Sequence, residues 1–280
     1  MSDTLNIAYC GIEGAWANIA AKKVFPNGKM NAYSSFQQAY DSVENGNCDY
    51  AVLPVENSYA GDVGQVFDLM HNGNLVINNT YNLHISQALL GIKGSKVEDI
   101  KSVISHQQAI DQCIEFIQNH KMIALPSSNT AVAAKKVADA KDKSLGAIAS
   151  EESAALYGLE VLAKSININQ ENCTRFAIFT KKYEIPTKTE DRVSILMFSV
   201  KNLPGALAKA VKIIGDEGFN LLNIKSRPVK NIPWKYYFYV EVEGSLLDDN
   251  GKKLLKSLSQ VCEDEKIVGT YEKHKGLPGE

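Results

Sequence analysis

The hydrophobic pattern of this chain changes once, at "KKYEIPTKTEDR", Lys181–Arg192, a charged stretch that contains Pro186 and has no period of its own. Such a stretch reads as a linker. A chain of 280 residues suits two domains, at roughly 100–200 residues each. Before the linker, apolar runs alternate with helical stripes. "LNIAYCG" is a short strand ending in glycine, and "AWANIAAKKVF" puts Trp16, Ile19, Ala20 and Val24 on one helical face. "CDYAVLPV" reads as a buried strand with Pro54 at its exit. Val63, Val66, Phe67 and Met70 then form a stripe. "IKSVISH" is a strand, and Ile110, Cys113, Ile114 and Ile117 predict one helix over "AIDQCIEFIQNH". "SNTAVAAKKVADA" is an alanine-rich helix with Ser127, Ser128 or Asn129 as its N-cap. "SLGAIAS" and "EESAALYGL" add a strand and a helix that stops at Gly158. The alternation predicts an α/β domain. Segment 100–150 does not join the first strands by a short hairpin, so two lobes with a cleft are expected.

Beyond the linker the order is strand, helix, two strands, helix, strand. "VSILMFSV" opens it. Leu207, Ala210, Val211 and Ile214 share a helical face, and "KYYFYVEVE" alternates as a half-buried strand should. Leu255, Leu258 and Cys262 align, and "KIVGTY" closes the set. This βαββαβ order is ferredoxin-like. One face of such a sheet is free of helices, which predicts pairing with another chain.

Several function classes are excluded on composition. The net charge of -2 gives no broad footprint for nucleic acid. No run of about 18 apolar residues is present, so no membrane span is expected. "MSDTLNIAYCG" lacks a charged segment followed by an apolar one, so no signal peptide is expected. Cys10, Cys48, Cys113, Cys173 and Cys262 are dispersed, with no C-x-x-C pair. Together these predict a reduced, cytoplasmic protein without disulfides or a zinc site.

In α/β sheets, ligands sit beyond the carboxyl ends of strands, and four stretches there could carry chemistry. "GIEGAWAN" feeds a helix start, where backbone N–H groups can meet an anion. "PVENSYAGDV" sets Glu56, Asn57 and Ser58 after a buried strand. "SHQQAIDQC" places Ser105, His106 and Gln107 at a strand–helix junction, with Gln112 inside the helix. "ENCTRF" carries one of only three arginines, Arg175, beside Thr174 at the mouth of an apolar strand.

In this order the residues resemble the prephenate dehydratase family over nearly the whole chain. The match rests on Gly11 and Gly14; Pro54, Glu56-Asn57-Ser58 and Gly61; Ser105-His106 with Gln112-Cys113; Thr130; Tyr157-Gly158-Leu159; and Asn172 with Thr174-Arg175-Phe176. Further along, "NLPGAL" (Asn202–Leu207) and "SRP" (Ser226–Pro228) match the two phenylalanine-binding motifs of the ACT regulatory domain. The resemblance implies a two-lobed, periplasmic-binding-protein-like catalytic domain over residues 4–181, a linker over 182–192 and an ACT domain over 193–271. The chain departs from the family at Ala15 and Ala17, which stand where hydroxyls are usual, with Trp16 between them. It departs again at Lys225, where the family carries Glu. No helical bundle precedes Leu5, so a fused chorismate mutase is not expected.

The implied reaction turns prephenate into phenylpyruvate, CO2 and water, without cofactor or metal. Hydroxide is a poor leaving group and needs a donor as it departs. Family precedent gives that role to Thr174, with Glu56 completing a relay if burial raises its pKa. Gln112 is the third catalytic candidate. Arg175 suits a bidentate grip on the side-chain carboxylate. Asn57, Ser58, Ser105 and Gly11 are further substrate-binding candidates. Phe176 and Trp16 are candidate walls of a poorly solvated pocket favouring loss of CO2. Phenylalanine, as inhibitor, is expected between Leu203, Pro204, Gly205, Ala206 and Leu207 of one chain and Ser226, Arg227 and Pro228 of another. The assembly is then a homodimer or homotetramer. Two other readings remain: arogenate as the substrate, and a non-catalytic amino-acid sensor.

Overall fold

The computed structural model describes residues 4–182, 191–230 and 232–272, so most of the expected linker lies outside the described residues. The chain packs as two units, Met1–Val66 with Tyr81–Phe176, and Phe67–Thr80 with Ala177–Glu280. Packing therefore does not follow chain order, because a segment of fourteen residues, 67–80, is held with the C-terminal part.

The chain begins β1 (Asn6–Cys10), α1 (Trp16–Val24), β2 (Lys29–Tyr33), α2 (Phe36–Glu44), β3 (Tyr50–Asn57), β4 (Gly61–Asp62), α3 (Gly64–Asn72) and β5 (Val76–His84). It continues β6 (Ala88–Gly91), β7 (Ser102–His106), α4 (Gln107–Gln112), α5 (Ile114–Asn119), β8 (Ile123–Ser127), α6 (Thr130–Ala140), β9 (Leu145–Ala149), α7 (Glu151–Tyr157), β10 (Glu160–Ala163) and β11 (Cys173–Thr180). In the first unit β1 lies between β2 and β3, parallel to both. A second sheet has the order β10-β6-β9-β7-β8, with β7 parallel to β8 and β9. These are the two expected lobes. In the second lobe Val103, Ile110, Cys113 and Ile117 build the core on one side of the sheet. Ala133, Ala134 and Val137 of α6 meet Ala147 and Ala149 on the other, where small side chains let the helix lie close.

Two local expectations change. β3 runs on through Glu56 to Asn57 and turns into β4, so Pro54 is not its exit. The single helix expected over 109–120 is two, broken at Cys113 (φ -113, ψ 15). There the Gln112 carbonyl accepts from the Ile168 N–H at 2.8 Å and is lost to helix bonding.

The second unit contains β12 (Arg192–Val200), α8 (Ala206–Asp216), β13 (Leu221–Pro228), β14 (Tyr236–Glu243), α9 (Asp249–Leu258) and β15 (Cys262–Glu272). This is the expected βαββαβ order, with Arg192 already inside the first strand. The antiparallel order is β13-β14-β12-β15, and the start of β5 adds a parallel edge at Ile77 opposite Gly269. A side chain at Gly269 would stand 2.6 Å from the Ile77 carbonyl oxygen, so only glycine permits this approach. Ala210, Ile214, Leu254 and Leu258 of the helices pack on one face of the sheet. The other face is not free, contrary to the expectation. Phe67 meets Tyr239 edge-on at 4.9 Å, and His71 stacks on Tyr237 at 4.1 Å. Both residues belong to α3, which covers the face expected to receive a second chain. β14 is accordingly buried on both faces, with Tyr237 1% and Val240 0% exposed. No helix among the described residues is long and apolar enough to cross a membrane.

Candidate active site

In a parallel sheet whose order turns back at a central strand, the loops after that strand and its neighbour leave in opposite directions and open a crevice. β1 with β3 and β7 with β9 are such places. Between the lobes of the first unit lies a cavity of about 900 Å³. Gly11, Ala15 and Trp16 reach it from the end of β1, and Asn57 from the end of β3. His106 and Gln108 come from the end of β7, and Asn129 and Thr130 from the end of β8.

Asn57 organises one wall. Its Oδ1 accepts from the backbone N–H groups of Tyr59 (3.0 Å) and Ala60 (2.9 Å). Those two donors fix the amide, so Nδ2 is the donor side. It gives hydrogen bonds to Thr174 Oγ1 (2.9 Å), Asn172 Oδ1 (2.9 Å) and the Cys173 carbonyl (3.2 Å). Thr174 Oγ1 is thus an acceptor toward Asn57, and its own proton is left for another partner. Asn57 is 6% exposed, so this arrangement sits in a low dielectric.

Strand alternation divides the "TRF" triplet. Thr174 and Phe176 line the cavity, with Phe176 1% exposed. Arg175 does not. It faces Glu56, likewise off the cavity, with 3.8 Å between Nη1 and Oε2. The sequence reading set Glu56 behind Thr174 and Arg175 on the substrate; the structure pairs the two with each other, and Asn57 holds Thr174. Ser58 also lies off the cavity. Its N–H donates to the Cys173 carbonyl (2.9 Å) and its Oγ accepts from the Cys173 N–H (3.0 Å), tying β3 to β11. Ser105 is 0% exposed, and its Oγ donates to the Ile148 carbonyl at 2.6 Å, a bond inside the second sheet. Gly11, Trp16 and Gln112 line the cavity as expected.

None of the described residues lining the cavity is Lys or Arg. The positive ends of two helices face it instead. α1 begins at Trp16 with no side-chain cap, which follows from Ala15 standing at the cap position. α6 begins at Thr130 beneath Asn129, whose Oδ1 accepts from the Val132 N–H. Trp16 Nε1 and Gln87 Oε1 are buried without a partner in the protein. Cys10 also lines the cavity, and burial pushes its thiol pKa up, which keeps it a thiol and a poor nucleophile at neutral pH.

The loop before α1 is tied to the opposite lobe. Tyr157 donates to the Glu13 carbonyl (2.6 Å) and Ser153 Oγ to that of Gly14 (3.2 Å). Gly14 has φ +86, and a Cβ there would lie 3.1 Å from both Leu156 Cδ2 and Ser153 Oγ.

The family model of prephenate dehydratase matches residues 7–184, and that of the ACT domain matches residues 194–260. The chain belongs to the prephenate dehydratase family. Arogenate dehydratase/prephenate dehydratase 1, chloroplastic, of Arabidopsis thaliana is 34% identical over 281 residues, covering 95% of this chain and 72% of that protein. The structure of prephenate dehydratase from Arthrobacter aurescens in complex with L-Phe superposes with a TM-score of 0.88 at 25% identity, covering 96% of this chain and 90% of that one. GqqA, described as a novel type of quorum quenching acylase, superposes at 0.87 with 29% identity, covering 96% and 98%. The chain is therefore an α/β dehydratase of aromatic amino-acid biosynthesis with a C-terminal ACT domain.

In the second unit Leu203 and Leu207 line a pocket of about 480 Å³ with Trp234, Tyr236 and Phe238. Gly205 holds the left-handed conformation (φ 78) that starts α8, next to half-buried Ala206 and exposed Pro204. Ser226 and Pro228 are exposed and off that pocket. Alternation turns Lys225 and Arg227 to the α3 face, 5.5 and 6.0 Å from the Phe67 ring.

Sequence reasoning missed Gln108 and Gln87, both on the cavity. It singled out Gln107, whose side chain instead meets Asp111 on the exposed side of α4. The signal lay in the helix start. His106 caps α4 by accepting from the Gln108 N–H, and that geometry turns the second glutamine inward.

Proposed function

We propose that this chain converts prephenate to phenylpyruvate, CO2 and water. The carbon–carboxylate bond breaks, its electron pair enters the ring as a new double bond, and the ring C–O bond breaks at the far side. Hydroxide leaves with one proton taken up, so the dianion plus H+ gives the phenylpyruvate monoanion, CO2 and water. Thr174 Oγ donates to the departing oxygen. The observation that carries this reading is the fixed amide of Asn57, which occupies an acceptor site of Thr174 Oγ1 and leaves its proton for the substrate.

The cavity wall supports the other half of the reaction. A carboxylate gripped by a cation resists losing its charge, and among the described residues the lining carries no Lys or Arg. Phe176 and Trp16 supply apolar surface, while the starts of α1 and α6 and the amide of Gln112 hold the remaining carboxylate with neutral donors. Glu56 and Arg175 act from behind the strands, as a pair that stiffens β3 against β11. Arogenate, with an amino group in place of the keto group, is the second substrate reading; the Arabidopsis relative's name carries both activities.

L-Phenylalanine binding at the ACT domain is supported by the Arthrobacter complex and by the pocket under Leu203 and Leu207. It inhibits by favouring one of two conformations of a homodimer or homotetramer. The test mixes purified protein with prephenate and follows phenylpyruvate by its absorbance in alkali, with and without L-phenylalanine. Turnover that Thr174→Ala lowers by about 10²-fold or more in kcat is expected. Near-normal turnover in that variant removes Thr174 from the mechanism. A wild type active on arogenate and inactive on prephenate makes arogenate the substrate.

A further inference from the structure

We infer that Gln108 is a positioning residue, which carries closure of the two lobes to the Thr174 hydroxyl through Asn57. The inference rests on the reading of Thr174 as proton donor. Gln108 sits in the first turn of α4, after β7 of the second lobe, and Asn57 ends β3 of the first. Across the cavity Gln108 Nε2 donates to Asn57 Oδ1 at 3.2 Å. This is a third hydrogen bond on an oxygen that already accepts from Tyr59 and Ala60. The two backbone bonds come from Asn57's own turn and persist whatever the lobes do. The Gln108 bond alone depends on the lobes being together.

Its effect runs along the amide. A donor at Oδ1 polarises the group and strengthens the donation from Nδ2. Nδ2 is shared among Thr174 Oγ1, Asn172 Oδ1 and the Cys173 carbonyl, so its direction decides how firmly Thr174 is held. With the lobes apart, Asn57 Oδ1 keeps only its two backbone donors, the amide is less polarised, and Nδ2 holds Thr174 Oγ1 more weakly. With the lobes together, the proton points to the substrate. Gln108 thereby joins substrate enclosure to readiness of the acid.

The test uses Gln108→Leu, Gln108→Glu, Thr174→Val and the double variant Gln108→Leu/Thr174→Val, each with kcat, KM and melting temperature. Gln108→Leu is expected to lower kcat about tenfold, with KM within about threefold and the melting temperature unchanged. Gln108→Glu is close to isosteric and supplies the sharper readout. Its carboxylate cannot donate to Asn57 Oδ1, whereas its protonated form can. The ratio of its kcat to that of wild type should therefore rise as pH falls. Cys10, Tyr33, Asp62 and His106, the other ionisable side chains that line the cavity, are common to both proteins, as is Asp111 on the same helix, so they enter the ratio only through their coupling to the new carboxyl. In the double variant, losing Gln108 should cost nothing beyond the loss of Thr174, because one acts through the other. A Gln108→Leu effect that appears in KM alone overturns the inference and makes Gln108 a substrate contact. A pH-independent kcat ratio for Gln108→Glu overturns it as well. Normal turnover in Thr174→Val instead sinks the Thr174 reading, whatever the Gln108 variants do.

Discussion

The substitution Asn57→Asp changes one heavy atom and reverses one side of the group. The acceptor side survives, since Tyr59, Ala60 and Gln108 still find an oxygen. The donor side becomes a second oxygen, facing Thr174 Oγ1 at 2.9 Å, Asn172 Oδ1 at 2.9 Å and the Cys173 carbonyl at 3.2 Å. Two of these cannot answer with a proton. The Cys173 carbonyl keeps its bond from the Ser58 N–H, and Asn172 Oδ1 keeps only a long one from Ser58 Oγ (3.5 Å). One poorly satisfied buried acceptor costs about 1–3 kcal/mol, so a destabilisation of about 1–3 kcal/mol is expected at neutral pH. Thr174 does answer: its hydroxyl turns to donate to the new carboxylate, and its proton is no longer offered to the substrate. By analogy with losing one oriented donor, kcat falls by about 10²–10³-fold.

The pH dependence gives the sign. Burial among acceptors holds the introduced carboxyl above the ordinary carboxylate value near 4 in the folded protein. A group whose folded pKa is raised contributes its stabilising, neutral form fully below the unfolded value and loses it as pH rises through the folded pKa. The variant should therefore approach wild type, in urea unfolding and in kcat, as pH falls toward about 5, and diverge above it. Turnover within about threefold of wild type near pH 8, with a flat ratio at lower pH, refutes the claim that Asn57 sets the direction of the Thr174 proton.

Gly14→Ala should lower stability by about 1–3 kcal/mol, measured by urea unfolding, because φ is +86 and the new methyl crowds Leu156 and Ser153; an unchanged midpoint would show that the loop relaxes freely. Tyr237→Phe should flatten the alkaline limb of unfolding. Burial first, then Asp68, raises the Tyr237 pKa, so its contribution is complete below about pH 10 and is lost as pH rises further. Identical alkaline limbs in variant and wild type would contradict this.

Part of the site was legible in the chain alone, because it is written in local order. An apolar run, a glycine or polar turn and a helical stripe place a loop at the end of a strand wherever they occur. Gly11, Trp16, Asn57, Gln112, Thr174 and Phe176 were found in that way and by resemblance, and all of them line one cavity. The βαββαβ order of the second domain was equally plain, since its strands and helices show apolar runs or stripes of their own. β2, five residues long and without a fully buried position, was passed over, as were the four-residue strands β6 and β10.

What only the tertiary structure decided are the partnerships. Neighbours in sequence alternate across a strand, so "TRF" is one motif in the chain and two faces in space, with Thr174 at the cavity and Arg175 on Glu56. Asn57 meets Thr174 across 117 residues and Gln108 across 51, separations over which no local period carries information. The cover of α3 over Tyr237 and Tyr239 has the same origin. A strand's pattern declares that a face is apolar, but which element covers that face is settled only when the whole chain packs.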